Sequence, residues 1–101
     1  GQVGQSSYAA SKSGLLGLAR SLAKEYASRN ITVNVVAPGA VKTDMLQKLS
    51  EEQIKEYLQS IPLGRLGEPE EIGEIIAFLA SDHAGYITGS LIPIDGGLYM
   101  G

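Results

Sequence analysis

The sequence predicts an α/β fold in the order helix, strand, helix, helix, strand, and three observations carry it. A long amphipathic pattern opens the chain, a β-branched run follows, and a second short apolar run lies near the end beyond two further helical patterns. In the first pattern Leu15, Leu16, Leu18, Ala19, Leu22, Ala23 and Tyr26 recur at three- and four-residue steps. Arg20, Lys24 and Ser28 take the other face, so a helix is expected over 6–28. Its first half is small: Ala9, Ala10, Ser11, Ser13, Gly14 and Gly17. Interior glycines cost about 1 kcal/mol each relative to alanine. Either chance composition or the close approach of a ligand or partner helix accounts for them.

Ile31-Thr-Val-Asn-Val-Val36 is nearly continuous in apolarity, as expected of a strand over 31–37 covered on both faces of a parallel sheet. Pro38-Gly39 stops it. Ser50 can cap the next helix with Gln53 as capping-box partner, and Leu49 can staple against Ile54. That helix places Ile54, Tyr57, Leu58 and Ile61 on one stripe and ends at Pro62, a pattern that suits a lid. Leu63 to Gly67 reads as a turn-rich linker. Pro69 then opens a helix over 69–82, with Glu70 and Glu71 near the positive end of its dipole and Ile72, Ile75, Ile76 and Leu79 inward. A second strand over 91–95 is closed by Asp95-Gly96-Gly97. Parallel strands joined through helices imply a right-handed crossover. Two strands leave both edges open, so they are expected to join a larger sheet.

Composition narrows the class. The chain has 101 residues, 8 basic and 11 acidic side chains, a net charge of −3 and no cysteine. No basic run offers a nucleic-acid footprint, and thiolate metal sites and disulfides are excluded. The longest uninterrupted apolar run is Ile75–Ala80, too short for a membrane helix. With no leader pattern at its start, the chain is expected to be cytoplasmic, neither secreted nor membrane-inserted. No cluster of His, Cys and carboxylates suggests a metal.

Tyr8 and Lys12, four residues apart at the head of a helix, lie on one face about one turn from each other. An ammonium near a tyrosine favours the phenolate, which fits the phenol for general acid–base work. An exposed helical pair is the plainer reading of the same spacing. Three weaker signals are read as incidental: a glycosylation-like Asn30-Ile-Thr32, a mid-helix Ser21-Leu-Ala-Lys24, and His83 at a helix end.

Context adds to the pair. Tyr8-Ala-Ala-Ser-Lys12, Ile31-Thr-Val-Asn-Val-Val-Ala-Pro-Gly39, Thr43-Asp44, Pro62-Leu-Gly-Arg-Leu-Gly-Glu-Pro-Glu-Glu71, Phe78-Leu-Ala-Ser81, Tyr86-Ile-Thr-Gly89 and Asp95-Gly-Gly97 occur in that order. Together they resemble the C-terminal half of the short-chain dehydrogenases/reductases, with the nearest likeness to the 3-oxoacyl-[acyl-carrier-protein] reductases of fatty-acid synthesis. The resemblance implies residues 1–101 are the C-terminal portion of one Rossmann-like, doubly wound parallel-sheet domain. It implies that Tyr8 exchanges a proton with the substrate oxygen and also borders the cofactor, and that Lys12 lowers its pKa and holds the nicotinamide ribose. By the same likeness Pro38, Gly39, Val41 and Thr43 form the loop at the nicotinamide end of the cofactor. Residues 44–61 would be the substrate lid. Arg29 matches a basic position that docks the acidic carrier protein, against its reading as a solvated arginine at a helix C-terminus. The cofactor implied is NADP(H) in preference to NAD(H). The partners implied are an acyl-carrier-protein-linked or other ketone substrate, the N-terminal half of the fold, and other copies in a homo-oligomer, a tetramer in the family.

Other parts of the family pattern are not in these residues. No glycine-rich loop follows a strand to cradle a pyrophosphate, and the residue that selects NAD or NADP belongs with that loop. Seven residues precede Tyr8, and Ser6 and Ser7 stand too near it to match the catalytic serine. The expectation is therefore the later part of a ketone reductase. The alternatives are a non-catalytic, self-folding oligomerisation module, or a relative acting on a sugar, steroid or small ketone.

Overall fold

The computed structural model describes residues 3–43 and 48–99. Helix α1 spans Val3–Tyr26, strand β1 Val35–Pro38, helix α2 Glu51–Gln59, helix α3 Pro69–Leu79 and strand β2 Leu91–Ile94. The order is the one the periodicities predict. The β1 and β2 strands pair in parallel: the N–H groups of Val35 and Gly39 donate to the carbonyls of Ser90 and Ile94, both at 2.9 Å and at the same 55-residue offset. The chain forms two compact units, Gly1–Val36 with Phe78–Ile92, and Ala37–Ala77 with Pro93–Gly101.

In the first unit α1 gives way to a 3-10 turn at Ala27–Arg29, and Asn30 ends it in the left-handed conformation, φ 59°. Asparagine tolerates that backbone better than most residues. Its N–H donates to the Ala27 carbonyl at 3.0 Å, so the helix closes two residues before the boundary its apolar pattern suggests. Of the two apolar stripes along α1, only one is covered. Ala19 and Ala23 are buried, with Leu16, Leu22 and Tyr26 partly so, while Leu15 and Leu18 are exposed. A Cβ at Gly14 or Gly17 would meet nothing within 4 Å, so no described residue makes the close approach those glycines permit.

The expected strand over 31–37 is corrected: the ladder begins at Val35. Before it, side chains supplement a single backbone bond, from Gly89 N–H to the Val33 carbonyl at 2.7 Å. Val33 N–H donates to the Thr88 hydroxyl at 3.0 Å, Asn34 Nδ2 donates to the Ile87 carbonyl at 3.1 Å, and Asn34 Oδ1 accepts from Ser90 N–H at 3.1 Å. A half-buried asparagine thus braces two segments as a strand pair would. Asn34→Ala leaves a carbonyl and an N–H without these partners, and is expected to cost about 1–3 kcal/mol. The denaturant midpoint measures this, and an unchanged midpoint would show that water replaces the brace at no cost.

In the second unit α2 starts on a complete capping box: Ser50 Oγ accepts from Gln53 N–H at 3.1 Å, and Gln53 Oε1 accepts from Ser50 N–H at 2.9 Å. Ile61, just past its end, is buried. The α3 helix begins at Pro69, whose absent N–H costs a first turn nothing. It ends at Leu79 rather than at 82, where a separate 3-10 turn, Asp82–Ala84, takes over. The second strand stops at Ile94 because Asp95 turns the chain. Its carboxylate accepts from Gly97 N–H at 2.9 Å and its carbonyl from Leu98 N–H at 3.1 Å. Gly96 sits at φ 63°, and a Cβ there would also press on Ile61 at 2.8 Å. Among the described residues no helix is long and apolar enough to cross a membrane.

Candidate functional site

The candidate residues divide between the two units. In the first, Tyr8 and Lys12 lie on α1 one turn apart, and both are partly buried while Ala9, Ala10, Ser11 and Ser13 between and beside them are exposed. Continued along the helix, the same stripe holds Leu16, Ala19, Ala23 and Tyr26. The pair therefore lies on the face of the helix that carries the buried Ala19 and Ala23. Arg29 follows in the 3-10 turn. It is exposed, with its guanidinium over the Tyr26 ring at 5.9 Å from the centroid, near the outer limit of a cation–π contact.

In the second unit the segment Pro38–Thr43 leaves β1 and is held on two sides. Gly39 N–H donates to the Ile94 carbonyl, and a Cβ on Gly39 would clash with that of Asp95 and stand 2.9 Å from its Cα. Glycine is needed for space there. Val41 forms a parallel bridge with Gly67: Gly67 N–H donates to the Ala40 carbonyl and Lys42 N–H donates to the Gly67 carbonyl, both at 2.9 Å. In such a bridge the central residue lends neither of its own backbone groups to the partner. The N–H and carbonyl of Val41 therefore point away from Gly67. Pro38 and Thr43 are exposed beside them. A backbone donor facing outward from a pinned loop, flanked by a threonine, suits a primary carboxamide, so the residues present fit the nicotinamide end of a dinucleotide. The expected lid begins at Asp44, and residues 44–47 lie outside the described residues.

Gly67 is itself fixed. Arg65 grips Glu71 with both nitrogens, Nη1 to Oε1 at 2.8 Å and Nη2 to Oε2 at 2.9 Å, and Nη1 also donates to the Leu66 carbonyl at 3.1 Å. Glu71 Oε1 accepts in addition from Glu68 N–H at 2.9 Å, so this carboxylate caps α3 and anchors the turn before it. The Arg65 hydrogen bonds, then that of Glu68 N–H, hold the Glu71 carboxyl down to about 2, and the same pairing raises Arg65. Lys42 Nζ adds an ion pair to Glu68 Oε1 at 2.6 Å. These pairs are open to solvent, so they contribute geometry more than energy.

Each unit holds a cleft, and Arg65, Gly67 and Glu71 are among the residues lining the smaller one. One of about 460 Å³ in the second unit is lined by Pro62, Leu63, Ile72, Pro93 and Ile94 with Arg65 and Asp95. One of about 890 Å³ in the first unit is lined by Asn30, Ile31, Ala80, Tyr86 and Thr88 among others. Neither is lined by Tyr8, Lys12, Pro38, Gly39, Val41 or Thr43.

Sequence patterns show neither the bracing role of Asn34 nor the pairing of Arg65 with Glu71. Asn34 and Glu71 each carry a signal, a polar residue inside a β-branched run and a glutamate at the third position of a helix opened by proline; Arg65 carries none.

Comparison with known proteins bears on the same residues. A family model described as Enoyl-(Acyl carrier protein) reductase matches residues 1–99. The 3-oxoacyl-[acyl-carrier-protein] reductase FabG of Pseudomonas aeruginosa is 55% identical over 100 residues, which cover 99% of this chain and 40% of that protein. Proteins of the same name from Escherichia coli (strain K12) and Thermotoga maritima are 55% and 54% identical, again over 99% of this chain and 41% of theirs. The chain spans about two-fifths of the length of these relatives. A match that runs from the Tyr8–Lys12 helix through the Pro38–Thr43 loop to the Asp95 turn leaves one conclusion: the chain belongs to the short-chain dehydrogenase/reductase family.

Proposed function

We propose that these residues supply the proton-transfer helix and the nicotinamide-side loop of a reductase that turns a ketone into a secondary alcohol. The substrate proposed is a 3-oxoacyl group carried on acyl carrier protein, as the printed names of the relatives suggest, and the cofactor NADP(H) in preference to NAD(H). The observation that carries the reading is the position of Tyr8 and Lys12 on the covered face of α1. The bound nicotinamide would supply the hydride. The Tyr8 hydroxyl donates its proton to the carbonyl oxygen as negative charge develops there. Lys12, one turn on, favours the phenolate left behind and can hold a ribose hydroxyl. Val41 N–H, directed away from Gly67, orients the carboxamide, with Thr43 beside it. Arg29, exposed at the end of α1, is the proposed contact for the acidic carrier. The rest of the sheet, with the phosphate-binding loop, would be contributed by residues beyond these. Family likeness further supports a cytoplasmic homo-oligomer.

The test is to follow NADPH absorbance in the full-length reductase carrying this chain, with a 3-oxoacyl thioester in one arm and a 2-enoyl thioester in the other. Oxidation with the 3-oxoacyl arm is expected. Because the matching family model is described by enoyl reduction, turnover of the enoyl arm alone would move the reaction to a carbon–carbon double bond. Turnover in neither would overturn the fatty-acyl reading.

A further inference from the structure

The turn that precedes α3 has so many internal anchors that it calls for a purpose beyond ending a linker. Arg65 uses a two-pronged grip on Glu71, and Glu71 also caps the helix through Glu68 N–H. An exposed surface ion pair of this kind adds little to stability. A planar guanidinium set against both oxygens of a carboxylate does restrict geometry, because each prong removes a rotation that a single contact allows. The segment restricted is Leu66–Glu68. Its central residue, Gly67, holds the Ala40–Lys42 stretch through two backbone hydrogen bonds of 2.9 Å. Lys42 and Glu68 join the same two segments a second time through their side chains. The path from Arg65 to Val41 is thus one ion pair, one capped turn and one bridge, all within the second unit.

We infer that Arg65 and Glu71 are positioning residues for the cofactor loop: by fixing Gly67 they fix the direction in which Val41 presents its N–H. This rests on the reading of Pro38–Thr43 as the nicotinamide-side loop. Neither side chain need touch the cofactor. Their effect is on how much loop freedom remains to be lost on binding, so it falls on affinity for the dinucleotide rather than on proton transfer. Charge alone does not suffice, since a lysine at 65 keeps the charge and loses the fork.

The experiment compares Arg65→Lys, Arg65→Ala and Glu71→Gln with Val41→Pro in the full-length reductase. Val41→Pro removes the outward donor while leaving both Gly67 hydrogen bonds their partners. Cofactor Kd is read by nicotinamide fluorescence without substrate, KM for cofactor and for the ketone are read separately, and far-UV circular dichroism with melting checks the fold. All three ion-pair variants are expected to melt within a few degrees of the parent. Each should weaken cofactor binding about tenfold, Arg65→Lys as much as Arg65→Ala, with the ketone KM little changed. Ion-pair variants that fold and bind cofactor like the parent, while Val41→Pro binds weakly, would overturn the positioning role and leave the loop assignment standing. If Val41→Pro also binds like the parent, the loop assignment itself falls. Should Arg65→Ala fail to fold, the Arg65→Lys and Glu71→Gln pair decides the question, because both keep the side-chain bulk.

Discussion

Tyr8→Phe in the full-length reductase is expected to lower kcat by about 10²–10⁴-fold, the usual contribution of a positioned general acid. Cofactor Kd should change by no more than about twofold, because removing one oxygen leaves the ring, its helix and the Pro38–Thr43 loop in place. Tyr8, Lys12, Leu16, Ala19 and Ala23 fall on one stripe at three- and four-residue steps, and that stripe is the one the fold covers. A phenol on the opposite stripe, with Leu15 and Leu18, would face solvent and lack a neighbouring cation one turn away. Stopped-flow mixing of enzyme, NADPH and 3-oxoacyl thioester gives the rate, and a cofactor titration gives the affinity. A variant that keeps a near-parental rate would remove Tyr8 from the acid–base role. Equal losses in rate and cofactor affinity would instead make the hydroxyl part of the dinucleotide site.

What could be read from the sequence follows how local the responsible interactions are. The capping box of Ser50 and Gln53 joins residues three apart, and the sequence pattern displays both partners at once. The spacing of Tyr8 and Lys12 is equally local. The start of β1 depends instead on Asn34 meeting Ile87 and Ser90, and on Val33 meeting Thr88, contacts more than fifty residues apart. A β-branched run cannot announce that its first half is bonded largely through side chains, with one backbone bond from Gly89 N–H to the Val33 carbonyl. The α1 helix shows a different limit. Its apolar residues form two stripes, and periodicity alone does not say that Leu15 and Leu18 lie on the uncovered one. The glycines of Leu63–Gly67 suggest a linker, although the residues that discipline it, Arg65 and Glu71, are only six apart. That pair was hidden by the boundary between what looked like a loop and what looked like a helix.

Gly39→Ala is the second substitution expected to have a large effect, and its reason is space. A methyl group at 39 would clash with the Asp95 Cβ and come within 2.9 Å of the Asp95 Cα, so backbone must move. No rotamer change at Asp95 relieves a clash that involves its own Cβ and Cα. Overpacking of this kind costs about 1–3 kcal/mol. The movement has a direction: separating residue 39 from residue 95 stretches the Gly39 N–H bond to Ile94, the last rung that ties the Pro38–Thr43 segment to β2. The bridge of Val41 to Gly67 remains, so the loop would be held on one side and free on the other. The expected result is a lower melting temperature together with weaker cofactor binding, both measured in the full-length reductase. Asp95→Gly on the Gly39→Ala background removes the nearer of the two colliding atoms and is expected to recover part of the stability. It also deletes the carboxylate that accepts from Gly97 N–H, which keeps the recovery incomplete. If Gly39→Ala instead melts and binds cofactor like the parent, the close approach of residues 39 and 95 does not set the loop's position, and the Gly67 bridge alone must.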